Sequence, residues 1–301
     1  MRPNIIFFGT PDFSVSSLKA LVENNFSPVL VVTKADKPSG RGRKLTASPI
    51  KQTAEELGLT VATPLKLDDN FLRTIKDLEP NLMVVVAYGK ILPQALLDIP
   101  KQGTINVHPS LLPKYRGPSP IQETILQGDK ETGVTIMLLD ADMDHGPIIK
   151  QENVILTGTE TAKELEQTLA RLGAETLIKT LPLYLAGETK PVEQNHNKAT
   201  YCKMLPKTVY AVDWHTDKGL DLERRIRAYN PVPGVMATIG GQQIKLLKAK
   251  VDDTNIAPGE IEVKDHCLFI GTADKTLEIL ELQPAGKKSM SARDWLNGRP
   301  F

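Results

Sequence analysis

Cysteine is nearly absent. Cys202 and Cys267 are the only two in 301 residues, too few for a disulfide framework and too isolated for a zinc cluster, so a reducing, cytoplasmic compartment is expected. Net charge is also missing: the formal value is +1, which does not announce a nucleic-acid binder. No apolar run is long. The longest covers residues 82–88, against the roughly 20 needed to span a bilayer. The first residues, MRPNIIFFGTPDFS, lead into a strand pattern without an apolar run ending in a small-residue cleavage site, so neither secretion nor a membrane location is expected. Glycine (21) and proline (22) are too few for a disordered or collagen-like chain. What remains is a chain of 41% hydrophobic and 24% charged residues, an ordinary globular composition with room for about two domains.

The first part alternates strand and helix signals. Short, wholly apolar runs at residues 4–8, 29–32, 82–87 and 104–107 have the pattern of strands buried on both faces. Residues 13–22, with Asp12 as a plausible cap, 50–57, closed by Gly58, and 92–97 read as the helices between them. This alternation predicts an α/β fold with a mostly parallel sheet. Residues 133–139 and 147–154 add strands, and 161–185 reads as a long helix opened by a Thr161/Glu164 capping box. After Gly187 the chain turns polar and aperiodic, as a surface linker would. Beyond it, one helix near 220–228 precedes short strands at 235–239, 243–249, 259–263, 267–271 and 277–282, the first two joined by Gly240-Gly241 as a tight hairpin. Those strands predict a small β-barrel.

Several motifs are negative. The turn GTPDFS after the first strand lacks G-x-G-x-x-G, its Pro11 removes a backbone donor, and no Walker A pattern occurs, so neither NAD nor ATP is expected. Residues 140–151 place aspartates alternately like a calcium loop, but His145 stands at the required glycine and Gln151 at the required glutamate. No metal is expected.

The densest positive signal is TINVHPSLLPKYRGPSP, residues 104–120. A strand ending at His108 points Asn106 and His108 to the same side, at the carboxyl end of a sheet, where open α/β folds bind ligands. Asp144 leaves a later strand and can reach back to that pair. Residues 34–51 carry Lys34, Lys37, Arg41, Arg43, Lys44 and Lys51 against Asp36 alone, a local net charge of +5. Taken singly, each has a plainer reading: a core histidine, a solvated acidic turn, a soluble cationic loop. Together they favour a functional site, and the cationic loop suits a phosphate-rich ligand such as RNA.

These stretches resemble the folate-dependent formyltransferases. The likeness rests on GTPDF at 9–13, DKPSGRGRKL at 36–45, VVVAYGKILP at 84–93, INVHPSLLPKYRG at 105–117, ETGVTIM at 131–137, the Asp-x-Gly of residues 144–146 and LQPAGKKSMSA at 282–292, and it extends over nearly the whole chain. The Asn-x-His, SLLP and Asp-x-Gly set is common to the wider superfamily, whereas the basic loop and PAGKKSM favour its tRNA-acting branch. The resemblance implies a Rossmann-like formyltransferase catalytic domain over 1–189, a linker over 190–206, and an OB-like β-barrel over 207–301 that assists tRNA binding. It implies transfer of the formyl group of 10-formyltetrahydrofolate to the amino group of methionyl initiator tRNA, by direct attack through a tetrahedral species, with no metal and no obligatory protein partner. On that reading Asn106, His108 and Asp144 are catalytic, and Ser110, Leu111, Leu112 and Pro113 line the folate site. Lys114 or Arg116 meets the folate's glutamate tail, and Arg41, Arg43 and Lys44 contact tRNA. Two alternatives stay open: a formyltransferase acting on a small amine, such as an amino-sugar nucleotide or glycinamide ribonucleotide, and a noncatalytic RNA-binding protein. The first leaves residues 34–51 without a purpose.

Overall fold

The computed structural model describes residues 2–39 and 44–297. The chain forms two compact units. The first comprises 1–120, 131–154 and 166–202; the second comprises 121–130, 155–165 and 203–301.

The sheet of the first unit follows from its apolar runs. Strands β1 (Ile5–Gly9), β2 (Leu30–Val32), β5 (Val61–Ala62), β6 (Leu82–Val86) and β7 (Thr104–His108) pair in parallel, in the order β5-β2-β1-β6-β7. Every residue of β1, β6 and β7 is buried, as a parallel sheet covered on both faces requires. Ile5, Ile6, Phe7 and Phe8 are wholly inaccessible, each contributing about 1.5–3 kcal/mol by its removal from water. β8 (Glu131–Leu138) then adds antiparallel to β7, with β9 (Ile148–Ile155) at the edge. A separate antiparallel pair, β3 (Lys37–Ser39) with β4 (Lys44–Thr46), lies within the basic segment.

The helices show how local chemistry sets their ends. α1 is Val15–Glu23 and α2 is Pro49–Glu56, started by Ser48, whose hydroxyl accepts from the Lys51 amide, and by Pro49 at its first position. α3 (Asp69–Asp77) is capped by Asp68 and was not expected from the sequence, although Phe71, Leu72 and Ile75 give it a clear apolar stripe that packs on the core. α4 (Gln94–Leu97) and α5 (Pro120–Gln127) are short, and α6 runs from Ala162 to Leu185. At its start Glu164 accepts from the Thr161 amide (2.9 Å) and hydroxyl (2.8 Å), the expected capping box.

In the second unit, β10 (Tyr210–Ala211), β11 (Val235–Ile239), β12 (Gln242–Asp252), β13 (Ile261–Lys264), β14 (Cys267–Gly271) and β15 (Thr276–Pro284) form one sheet, ordered β10-β11-β12-β15-β14-β13, with β16 (Met290–Ser291) beside β15. Alternating burial along β11 and β12 marks a half-covered sheet. Leu222 and Ile226 of α7 (Gly219–Tyr229) and Trp295 of α8 (Ala292–Leu296) fill its covered side. Among the described residues the strand pairing is a path with two ends, β10 and β13.

The linker expected over 190–206 divides. Through Cys202 it is laced into the first unit: Val192 and Ile148 exchange backbone hydrogen bonds of 2.8 Å each, and Arg116 donates to the Thr200 carbonyl at 2.8 Å while accepting from the Cys202 amide at 2.9 Å. Polar composition concealed this because the bonds are made by backbone and buried side-chain amides rather than by apolar burial. No helix among the described residues is long and apolar enough to cross a membrane.

Candidate active site

β7 ends where chemistry can begin. Pro109 supplies no amide to continue the ladder, and alternation along the strand puts Asn106 and His108 on one face. His108 is 4% exposed. Its Nε2 lies 3.0 Å from the Tyr115 carbonyl, which can only accept, so this nitrogen carries the hydrogen and donates. The ring is thereby fixed with Nδ1 toward Asp144 Oδ1, at 3.6 Å. The Asn106 carboxamide, though buried, has no hydrogen-bond partner among the described residues, leaving its donors available to a ligand.

Asp144 arrives from the turn between β8 and β9. Its backbone is left-handed (φ +49°), an uncommon state for a residue with a side chain, and its Oδ2 accepts from the Gly117 amide at 2.8 Å. Two residues on, Gly146 has no room for a side chain: a Cβ there would lie 2.2 Å from the Leu138 carbonyl oxygen. The Asp-x-Gly spacing is thus a packing requirement as well as a chemical one.

The loop 110–117 is shaped from within. Ser110 is fully buried and its hydroxyl donates to the Lys114 carbonyl at 2.6 Å, so that side chain serves the loop. Thr135, opposite His108 in the ladder, donates to the Ser110 carbonyl (2.6 Å) and accepts from the Leu112 amide (3.1 Å) and from Gln151 (2.8 Å). Leu112 is buried, Leu111 and Pro113 half-buried, and the Leu112–Pro113 peptide is cis. Arg116 does not reach out toward a ligand's tail as expected. It is 2% exposed, and its Nε and Nη2 donate to Gln194 Oε1 at 3.1 and 2.7 Å. Lys114 remains exposed, over the Tyr115 ring.

A model described as formyl transferase matches residues 2–181, and one described as the formyl transferase C-terminal domain matches 204–300. The chain belongs to the formyl transferase family. It is 41% identical, over 99% of its own length and 97% of the relative's, to a methionyl-tRNA formyltransferase of Thermodesulfovibrio yellowstonii (strain ATCC 51303 / DSM 11347 / YP87). Among solved structures it resembles an N-formyltransferase of Helicobacter canadensis in complex with folinic acid and dTDP-3-aminofucose, with a TM-score of 0.70, 20% identity, and coverage of 94% of this chain and 100% of that one. It also resembles HypX of Aquifex aeolicus in complex with tetrahydrofolic acid (TM-score 0.65, 18% identity), covering 98% of this chain but only 47% of HypX. At these identities the two structures speak for the formyl transferase fold alone.

A cavity of about 510 Å³ lies elsewhere, lined by residues such as Pro80, Ile99 and Lys101, which precede β6 and β7. It sits at the amino ends of the strands, away from Asn106 and His108, at the end of a parallel sheet that open α/β folds do not use for ligands. The basic segment is anchored at its base by Asp36, whose two carboxylate oxygens each accept from Lys51 at 2.9 Å. That hydrogen bond raises the Lys51 ammonium above its ordinary range. Arg41 and Arg43 lie outside the described residues, and Lys44 enters only as the first residue of β4. Lys34, next to the loop, is shifted down by partial burial and then by Lys37 and Lys90.

Gln194, Thr135 and Gln151 were not legible as site residues. Each makes its contacts to backbone groups of segments far away in sequence, a relationship that spacing does not encode.

Proposed function

We propose that this protein transfers the formyl group of 10-formyltetrahydrofolate to the amino group of methionyl initiator tRNA, in the cytoplasm. The observation that carries the reading is the approach of His108 and Asp144 beside the unengaged carboxamide of Asn106, in a chain similar from end to end to a methionyl-tRNA formyltransferase.

The folate, when bound, supplies a formyl carbon already activated for attack, so no serine or cysteine nucleophile is needed. Asn106 donates to the oxygen on which negative charge builds as the amine attacks, and a donor set in place beforehand lowers that barrier. Asp144 takes a proton from the attacking amine, directly or through water, because a protonated amine has no lone pair to offer; as the tetrahedral species collapses, the bond from the formyl carbon to the folate nitrogen breaks and that nitrogen leaves with the proton returned to it. His108, held by the Tyr115 carbonyl, presents Nδ1 toward Asp144 and is positioned to relay the proton or, once protonated at Nδ1, to stabilise the oxygen. Residues 110–113 line the folate site, offering main-chain groups and the apolar surface of Leu111, Leu112 and Pro113.

Residues 1–189 carry the catalytic domain and 207–301 a tRNA-binding domain, joined through 190–206. Arg41, Arg43 and Lys44 close on tRNA phosphates, a role suited to guanidinium groups between glycines in a segment of local charge +5. Incubation with 10-formyltetrahydrofolate and methionyl-tRNA, with the product weighed by mass spectrometry, tests the reading. Formyl-methionyl-tRNA is the expected product. Formylation of an amino-sugar nucleotide in a parallel incubation, with none of the tRNA, would replace this reading with the small-amine one.

A further inference from the structure

We propose that Gln194 is a positioning residue for formyl transfer, fixing the Asp144 turn to the loop that follows His108. The proposal rests on the catalytic role given above to Asp144.

A primary amide has two N–H donors and one oxygen with two lone pairs. Gln194 uses all four. Its Nε2 donates to the Asp144 carbonyl at 2.9 Å and to the Gly146 carbonyl at 2.8 Å, and its Oε1 accepts from Arg116 Nε at 3.1 Å and Nη2 at 2.7 Å. With 4% of its surface exposed, the group has no water to exchange these bonds with. The amide cannot be reversed either: turning it over would set its N–H groups against the guanidinium and its oxygen against two carbonyls.

The four bonds join parts of the site that arrive from different strands. The Asp144 and Gly146 carbonyls belong to a turn without regular structure, whose central aspartate sits in a left-handed backbone state. A turn of that kind keeps one shape only where surrounding bonds hold it. Arg116 belongs to the loop after β7, and the very next amide, Gly117 N, binds the Asp144 carboxylate at 2.8 Å. Gln194 therefore holds the main chain of Asp144 while the residue after its own Arg116 partner holds the side chain.

Register explains how a residue in a polar tract arrives there. Val192 pairs antiparallel with Ile148, so two residues further on Gln194 stands at the level of Gly146. Arg116 strengthens the device. Fully buried, it meets neutral acceptors among the described residues: Gln194, His196 Nδ1 at 2.8 Å and Tyr201 Oη at 3.4 Å. A cation on the amide oxygen polarises the amide and makes its N–H groups better donors to the Asp144 turn. His196 in turn stacks on His145, ring centroids 4.1 Å apart, covering the residue between the two anchored carbonyls.

The test is Gln194→Glu. The carboxylate still meets Arg116, so the fold retains its partner for the buried cation, but both donors to the turn are lost. Turnover is expected to fall about 10- to 100-fold, with KM for folate and tRNA within about threefold; the melting temperature falls too, because a carboxylate oxygen now faces the Asp144 and Gly146 carbonyls, so turnover is assayed well below it. The same substitution in an Asp144→Ala background should cost almost nothing more, because the residue acts through Asp144. A folded Gln194→Glu enzyme with wild-type turnover, or a loss that adds in full to that of Asp144→Ala, overturns the proposal. Should that variant not fold, Arg116→Lys is measured by the same two criteria, since it keeps the cation and loses the paired bonds to Gln194. Wild-type protein is assayed alongside on methionyl-tRNA and on an amino-sugar nucleotide. If only the sugar is formylated, the substrate reading fails while the variants, assayed on the sugar, still decide the role of Gln194.

Discussion

His108 Nδ1 stands 3.6 Å from Asp144 Oδ1, although the two residues leave the sheet from different, antiparallel strands. That distance is too long for a hydrogen bond, and a small shift brings the two atoms within reach of direct proton transfer. The other nitrogen of the ring and the other oxygen of the carboxylate are both occupied, by the Tyr115 carbonyl and the Gly117 amide. Each group thus turns its one unoccupied atom toward the other, with the Asn106 carboxamide on the same face of β7 as His108.

Asn106→Ala and Asp144→Ala are each expected to lower turnover by about 10²-fold or more, because each removes a group that acts on developing charge or on the transferred proton; Asn106→Ala should change stability little, whereas Asp144→Ala also strands the Gly117 amide and lowers it. Steady-state formylation kinetics beside thermal melts measure this. Near-normal turnover in both variants would contradict the assigned roles.

Arg41→Ala should raise KM for charged tRNA, leave folate KM unchanged, and reduce the salt dependence of tRNA binding by about one in the logarithmic slope. Binding titrations at several salt concentrations supply the slope. An unaltered slope would assign the loop no phosphate contact.

Gly146→Ala is expected to destabilise the fold by about 1–3 kcal/mol or more, since its Cβ would fall 2.2 Å from a backbone oxygen that cannot swing away. The same shift displaces Asp144. Turnover should therefore drop further than the loss of stability explains, which assays well below the lowered melting temperature would reveal.

Thr135→Val keeps the shape of the side chain but strands the Leu112 amide and the Ser110 carbonyl, at about 1–3 kcal/mol per buried group left unpaired. Folate KM should rise by several-fold with a smaller effect on KM for tRNA. Equal effects on both substrates would argue against a role confined to the loop 110–113.

Tyr210 is pushed up to about 12, by burial first and then by its hydrogen bond to Asp217. The phenol binds its proton more tightly folded than unfolded, so its contribution to stability is complete below about pH 10 and disappears as pH rises through 12. In a phenolate absorbance titration, Tyr210→Phe should remove one late-titrating group and flatten the decline of stability over that interval.

Much of this molecule was legible in its residues. The apolar runs forecast β1, β6 and β7 closely because a strand buried on both faces has no polar alternation to confuse its reading, and Thr161 and Glu164 marked the start of α6 through bonds made within four residues. Gly240-Gly241 likewise placed the turn between β11 and β12, both residues having positive φ. The β3–β4 pair and α3 escaped notice, one because its strands are only three residues each, the other because it is nine residues long and its apolar stripe is confined to Phe71, Leu72 and Ile75.

The site divides along the same line. Sequence alone determined which chemical groups are present and the strand alternation that puts Asn106 beside His108, since both depend on neighbours only residues apart. Tertiary structure decided that Asp144 meets His108, that Arg116 is buried rather than offered to a ligand, and that Gln194, in a stretch resembling a linker, ties the two loops together. Those outcomes depend on strand order and on buried amides finding partners across the fold, and a hydrogen bond between distant segments leaves no periodic trace in either of them.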